Sequence, residues 1–220
     1  MIKNSTIILF FLLVGLAGII IFNLYPAIDF IFADYFYNYH DKLFYLKNNW
    51  WLEKFIHIYI KYTIITFVIF FYIFIIYKNQ KKSKKSILIS LFVTILIPLI
   101  ISLLKKLSAH ACPWDLTLYG GTQELISWWQ YAPHTFGRCF PAGHAAAGLC
   151  IMGISIIFYC INDIKKARFF YVFGIIAGLL LGLAQQARGA HFLSHTLASI
   201  YIACVITNIG IYLAKKYALK

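Results

Sequence analysis

Acidic residues are scarce in this chain of 220 residues, which contains 7 Asp and Glu against 20 Lys and Arg. Charged residues of both signs make up 12% of the sequence, whereas a soluble domain has about 25%. Hydrophobic residues make up 62%, so too few charged side chains remain to cover a globule of this size. The composition excludes an ordinary soluble domain, a disordered tail and a coiled coil, and it indicates an integral membrane protein.

Cysteines and sequence repeats are also scarce. The 5 cysteines do not make a small disulfide-rich domain, and with no internal repeat or low-complexity linker we expect one domain over residues 1–220. The net charge of +13 could indicate nucleic acid, but the lysines lie in short clusters between apolar runs, which is typical of membrane topology. We therefore expect a membrane as partner, and neither nucleic acid nor an obligate protein partner.

Six apolar runs are long enough to cross the hydrocarbon layer as helices, which takes about 20 residues each. They are rich in Ile, Leu, Phe and Val and nearly free of charge, so the sequence predicts an all-α bundle of six transmembrane helices. We place the helices at residues 5–24, 57–77, 86–104, 144–161, 169–187 and 192–214. The aromatic stretch 28–39 predicts a helix lying at the membrane interface.

Basic residues are divided unequally between the two sides of this bundle, with twelve on one side and seven on the other. Because cytoplasmic loops carry the excess of Lys and Arg, we expect both termini in the cytoplasm and the segments 25–56 and 105–143 outside. The lysines in 78–85 fit this topology, although the same cluster could instead bind anionic lipids.

Histidines are all predicted to lie on or near the outer face. A single histidine is weak evidence, but seven on one membrane face suggest a chemical site there. They are His40, His57, His110, His134, His144, His191 and His195.

Three polar motifs lie at the same predicted depth, at residues 105–115, 137–144 and 185–195. Cations and imidazoles at a membrane boundary are costly unless they have a polar partner. The Lys, Arg and His side chains of the three motifs would suit an anion. The turn before the fourth helix adds backbone N–H groups, and we expect those of Ala142 and Gly143 to bind that anion.

The motifs resemble those of the type-2 phosphatidic acid phosphatase superfamily, whose pattern is Lys-x6-Arg-Pro, Pro-Ser-Gly-His and Ser-Arg-x5-His-x3-Asp. Lys105 followed after six residues by Cys112-Pro113 is similar to the first element, with Cys in place of Arg. Pro141-Ala142-Gly143-His144 is similar to the second, with Ala in place of Ser. The helix count and the order of the motifs are also similar to the family.

The third element allows two registers. With His191 as the family histidine, the residue four positions later is His195 instead of Asp, and Gln185 stands where the family has Arg. With His195 as the family histidine, Arg188 lies one residue too far away and Ser199 stands in place of Asp. The Gly-Ala-His-Phe sequence favours His191, and Arg188 can share its face across the turn.

The resemblance implies a role for each matched residue. His191 would attack phosphorus to form a phosphohistidine, His144 would protonate the leaving oxygen, and Lys105 and Arg188 would hold the phosphate oxygens. It implies no metal and no other cofactor. Imidazole suits both roles, because one ring can be neutral while another is an acid at the same pH.

The substituted positions leave two questions about this site. His195 is a catalytic candidate that would orient His191 in place of the family aspartate, and Asp115 and Glu124 of the outer segment are further candidates. Arg138 is a candidate phosphate-binding residue in place of the arginine lost at Cys112.

The resemblance implies a bacterial lipid phosphatase whose active site faces the outside of the plasma membrane. Lipid A phosphate, undecaprenyl diphosphate and phosphatidylglycerol phosphate are the candidate substrates. Three alternatives remain: a phosphotransferase with the same intermediate, a metal-dependent hydrolase with His191 and His195 as zinc ligands, and an anion transporter. A transporter would need a polar path, and the cytoplasmic halves of the predicted spans show almost no polar residues.

A disulfide is expected between Cys112 and Cys139. Both fall in the same predicted external segment, where oxidation is favoured, and the other three cysteines lie within predicted spans. The bond would hold the first motif against the second, and it requires Cα atoms within about 7 Å of each other.

Overall fold

The computed structural model describes residues 5–78, 84–126 and 137–217, and the side chains of these residues apart from 5–12, 19, 23 and 57. His134 and the side chain of His57 therefore lie outside the described part of the predicted histidine cluster. Most of the described chain is helical. Its helices are α1 Ser5–Leu24, α2 Ala27–Asp34, α3 Trp51–Lys78, α4 Lys84–Leu107, α5 Ala145–Cys160, α6 Ile164–Ala187 and α7 Leu193–Tyr217.

Four of these helices, α3, α4, α6 and α7, are long and apolar enough to cross a membrane. A fifth span results if α1 and α2, which meet at a bend of 73°, are taken as one broken span. Large apolar side chains on the four long helices are exposed, including Phe70, Phe92 and Leu180, as expected for surfaces that face lipid. The structure therefore supports four or five spans from length and composition, and six are not confirmed.

Helix α5 accounts for the missing span. It covers Ala145–Cys160, fewer residues than the roughly 20 that a span requires. It is α-helical at both ends and has a 3₁₀ segment at Cys150–Ile154, whose residues are all buried. Because α5 packs against α4, α6 and α7, it is the central helix of the bundle, surrounded by protein.

Small residues bring α5 close to α6. A Cβ atom on Gly148 would lie 2.4 Å from the backbone nitrogen of Gly178, so the two backbones can meet only at glycine. This close crossing fixes the start of α5, which follows His144, next to the end of α6, which precedes Arg188. The helix packing thus brings the second and third motifs together.

A short antiparallel hairpin, β1 Tyr37–Asn38 and β2 Leu43–Phe44, is the exception to the predicted all-α fold. The interfacial helix expected over 28–39 ends earlier, at Asp34. The carboxylate of Asp34 accepts hydrogen bonds of 2.8 Å from the hydroxyls of Tyr39 and Tyr119. These bonds favour the turn into the hairpin, which packs its aromatic rings over the end of the bundle that carries the three motifs.

A buried polar cluster lies in the halves of α3 and α4 remote from the motifs. The Tyr72 hydroxyl lies 2.7 Å from the hydroxyls of both Ser90 and Thr94, and Ser90 donates to the carbonyl of Gly153 at 2.7 Å. The expectation that these halves show almost no polar residues was therefore wrong. The cluster joins α3 and α4 to the central helix through bonds among its own members.

Candidate active site

The three motifs meet at one cavity of about 320 Å³, at the end of the bundle where α4 and α6 end and α5 and α7 begin. The expected residues Lys105, His144, Arg188 and His191 all line it. The other lining residues are Glu53, Ile58, Cys112, Trp114, Cys139, Gln185 and Ala190. The three motifs therefore converge in the folded chain, as the sequence predicts.

A pair of histidines forms the wall of this cavity. The Nδ1 atom of His144 lies 3.2 Å from the Nε2 atom of His191, within hydrogen-bond distance. One of these two nitrogens must carry a proton and the other a lone pair. The arrangement therefore offers one proton donor and one lone pair side by side.

The environment of His191 favours its neutral form. The side chain is 1% exposed, and burial lowers its pKa well below 6.5, with His195, His144 and Lys105 lowering it further. A ring that is neutral at pH 7 can supply a lone pair at Nε2, leaving His144 as the proton carrier of the pair.

The other edge of the His191 ring faces Cys139. The Cys139 sulfur lies 3.6 Å from Nδ1, and the Cys139 backbone also hydrogen-bonds the ring. That backbone bond raises the pKa of His191, which identifies a carbonyl that accepts from the ring. The Cys139 carbonyl therefore holds the His191 ring where His195, or Asp115 or Glu124, was expected to orient it.

His195 lies beside His191 in a different way from that expected. The two rings meet edge to face with centroids 5.7 Å apart, and the His195 ring also contacts Phe140 and Phe192. In the part of the chain that the structure describes, Nδ1 of His195 is buried without a hydrogen-bond partner. His195 therefore packs against His191 through an edge-to-face ring contact.

Lys105 reaches the cavity across the turn that precedes α5. A Cβ atom on Gly143 would lie 3.3 Å from Cδ of Lys105, so glycine at this position leaves room for the lysine chain. The N–H of Ala142, expected to bind the anion, instead donates to the carbonyl of His195 at 3.0 Å. The expectation for Ala142 was therefore wrong, because its N–H joins the turn to α7.

Arg188 is held by contacts on several sides. Its Nε donates to the carbonyl of Lys47 and its Nη1 to Oε1 of Gln185, each at 3.0 Å. The guanidinium lies over the ring of Trp114, 5.9 Å from its centroid. Burial lowers the pKa of Arg188 and the charge of Glu53 raises it. A cation fixed in this way is already positioned for an anion before that anion arrives.

Glycine at position 189 shapes the turn that carries Arg188 and His191. Its φ of +77° is in the left-handed region, and a Cβ atom there would lie 2.4 Å from the ring of Phe44. The hairpin therefore packs directly on this turn. The carbonyl of Gly189 also accepts a 3.0 Å hydrogen bond from the backbone N–H of Trp114. This bond joins the first motif to the third.

Other expected residues lie away from the cavity. Arg138 is exposed and does not line the cavity. Asp115 and Glu124 do not line it either. The carboxylate that does line the cavity is Glu53, which the sequence analysis missed. With 7 acidic residues in the whole chain, a glutamate inside an apolar segment was the signal that could have identified it.

A disulfide joins Cys112 to Cys139, with their Cα atoms 5.2 Å apart. The bond closes a separation of 27 residues and ties the first motif to the second. Both cysteines line the cavity, so the disulfide forms part of the site wall next to His191.

Asp29 connects the N-terminal region to the start of α7, next to the turn that carries Arg188 and His191. Its carboxylate is buried, accepts from the backbone N–H of Ser194 at 2.9 Å and accepts from the Ser194 hydroxyl. Ser194 is in the first turn of α7, where backbone N–H groups lack helical partners. Asp29 thus caps the helix that follows His191, although 165 residues separate it from Ser194.

Replacing Asp29 with alanine is expected to lower the free energy of unfolding by about 1–3 kcal/mol, because two buried donors lose their acceptor. Thermal unfolding in detergent measures the loss. Ser194→Ala removes one of the two bonds, so the double variant should lose less than the sum of the single losses. Additive losses would contradict the contact.

Only one possible metal-ligand group was found in the described residues: Cys139, His191 and His195, whose ligand atoms lie within 4.8 Å of one another. The sulfur of Cys139 is bonded to Cys112 and so provides no thiolate in this form. For the zinc alternative, the third ligand beside His191 and His195 would be the Cys139 sulfur, which the disulfide occupies.

Comparison with known proteins identifies one family. A family model described as the PAP2 superfamily matches residues 86–218, which include all three motifs, and this confirms the resemblance seen in them. No curated protein and no solved structure matches the chain in the corresponding comparisons.

Proposed function

The chain belongs to the PAP2 superfamily, a superfamily of phosphatases, and we propose that it removes phosphate from a membrane lipid through a phosphohistidine on His191. The observation that carries this proposal is the 3.2 Å contact between Nδ1 of His144 and Nε2 of His191. The pair lies in a cavity that also contains Lys105 and Arg188. A lone pair, a proton and two cations are the groups that phosphoryl transfer needs.

The reaction has two steps. In the first, the phosphoryl group enters between the two rings and replaces their hydrogen bond, which frees the lone pair of His191 Nε2. Nε2 then attacks phosphorus, the bond to the leaving oxygen breaks, and protonated His144 gives that oxygen its proton. In the second, water attacks the phosphohistidine, His144 takes a proton from the water, and phosphate leaves with His191 restored. The lipid alcohol or lipid phosphate and inorganic phosphate are the products.

The cations stabilise the charge of the transferred group. Lys105 reaches the cavity from the end of α4 and Arg188 from the turn after α6. Because Arg188 is already fixed by Lys47, Gln185 and Trp114, it needs little reorganisation when phosphate binds. In this scheme no step needs a metal or other cofactor.

A lipid substrate fits the position of the site. The cavity opens at one end of helices whose apolar side chains are exposed, so a headgroup could enter while its chains remain in the membrane. Lipid A phosphate, undecaprenyl diphosphate and phosphatidylglycerol phosphate are the proposed substrates. The distribution of basic residues supports the outer face of a bacterial plasma membrane as the location.

The test is phosphate release by the purified protein in detergent, with each of the three lipids, with and without EDTA. We expect free phosphate from at least one lipid and the same rate with EDTA. Transfer of phosphate to another lipid without free phosphate would favour the phosphotransferase. Activity that EDTA abolishes and zinc restores would overturn the metal-free scheme.

Membrane topology can be tested independently of activity. Reporter fusions after Lys82 and Lys220 should give a cytoplasmic signal, and a fusion at Gly121 should give an external one, because cytoplasmic loops retain the basic residues. A cytoplasmic signal at Gly121 would place the cavity on the other side of the membrane and exclude outer-leaflet substrates.

A further inference from the structure

We propose that reduction of the Cys112–Cys139 disulfide creates a zinc site made of Cys139, His191 and His195, and that zinc bound there switches the enzyme off. The metal site is inferred from geometry alone, whereas the loss of activity rests on the proposed function. All three side chains are buried, and their ligand atoms lie within 4.8 Å of one another.

The distances suit one tetrahedral ion. With Zn–S about 2.3 Å and Zn–N about 2.0–2.1 Å, a sulfur and a nitrogen on the same ion lie about 3.6 Å apart. The Cys139 sulfur and Nδ1 of His191 are separated by 3.6 Å. This pair therefore already has the spacing of two zinc ligands.

The third ligand is an imidazole whose hydrogen bonding is incomplete. Nδ1 of His195 is buried and has no hydrogen-bond partner among the described residues, and a buried polar atom of this kind is costly. A metal ion in the cluster would give the His195 ring a partner.

The disulfide controls whether the site exists. A dithiol reductant gives two electrons and two protons to the Cys112–Cys139 bond, which breaks into two thiols while the reductant forms its own disulfide. Zinc then displaces the proton of the Cys139 thiol and binds the thiolate together with the two imidazoles. In the oxidised protein the sulfur is bonded to Cys112, and only two ligands remain.

Zinc in this position would act on the nucleophile directly. A metal on Nδ1 of His191 leaves the ring proton on Nε2, the atom that faces His144. Nε2 then has no lone pair for attack on phosphorus. The same ion adds positive charge beside a ring that must become cationic in the phosphoenzyme. The reduced, zinc-bound protein is therefore inactive, and the oxidised protein is insensitive to zinc.

Two matched variants test the site. Cys112→Ser and Cys139→Ser both remove the disulfide, but only Cys112→Ser leaves the Cys139 thiol in place. Each protein, and wild type before and after reduction, is freed of reductant under nitrogen and titrated with Co²⁺, whose thiolate charge-transfer band reports sulfur coordination. We expect about one Co²⁺ per chain in reduced wild type and in Cys112→Ser. Oxidised wild type and Cys139→Ser should show no band.

Phosphate release on addition of zinc gives the second readout. Zinc should lower the rate of reduced wild type and of Cys112→Ser by about tenfold or more, and leave Cys139→Ser unchanged. A missing band in both reduced wild type and Cys112→Ser, or an equal band in Cys139→Ser, would overturn the metal site. A band with no phosphate release from any sample would instead count against the phosphatase function alone.

Discussion

Replacement of His191 with alanine is expected to lower phosphate release below detection, a loss of at least about 10⁴-fold, because the covalent intermediate then has no nucleophile. The acid-labile phosphoenzyme should disappear at the same time. Labelling with a lipid that carries ³²P, followed by quenching in alkali, measures that intermediate directly. Phosphate release and the phosphoenzyme should be lost together, since in the proposed mechanism Nε2 of His191 is the atom that forms the bond to phosphorus.

Two other histidines serve as controls for this variant. His40 is exposed in the turn of the hairpin, where its ring contacts Asp41, and His40→Ala should retain the wild-type rate and the phosphoenzyme. His195→Ala should keep the intermediate, because the ring packs beside His191 without lining the cavity. A fully active His191→Ala together with an inactive His195→Ala would show that the alternative register is correct.

Replacement of His144 with alanine is expected to slow turnover by about 10²–10⁴-fold, the usual contribution of a general acid. The loss should depend on the leaving group. A lipid alkoxide needs the proton that His144 supplies, whereas a phenolate such as p-nitrophenolate leaves without it. The ratio of wild-type to variant rates should therefore be much smaller for p-nitrophenyl phosphate than for a lipid phosphate.

The phosphoenzyme separates this role from that of His191. The His144→Ala protein should still form the intermediate with p-nitrophenyl phosphate, because its nucleophile is intact. It should also accumulate it, since activation of water in the second step uses the same imidazole. An equal loss of rate for both substrates, with no intermediate, would mean that His144 only positions His191.

The sequence predicted which residues meet at the cavity better than it predicted the contacts that support them. Lys105, His144, Arg188 and His191 were identified because each lies in a motif at the end of an apolar run, and helices of equal depth bring such ends together. Ala142 was misjudged because the partner of its N–H is the carbonyl of His195, a contact between two helices. Local sequence carries no information about contacts of that kind.

The helix boundaries show the same contrast between features set by local sequence and features set by contacts between distant residues. The apolar runs that became α4, α6 and α7 were placed closely, since hydrophobic length determines them. Helix α5 was predicted as a span from its apolar composition, but composition alone does not distinguish a helix buried in protein from one buried in lipid. The caps and side supports of the site, such as Asp29 on Ser194, join residues far apart in the sequence, so periodicity does not reveal them.

The first third of the chain supports the site, and this limits how the protein can be truncated or recombined. The family match begins at residue 86, but Asp29 caps α7, the carbonyl of Lys47 holds Arg188, and Glu53 lines the cavity. A fragment trimmed to the matched region would keep every motif residue and lose all three of these supports. Chimeras that exchange catalytic segments between relatives should therefore exchange the N-terminal helices and the hairpin with them.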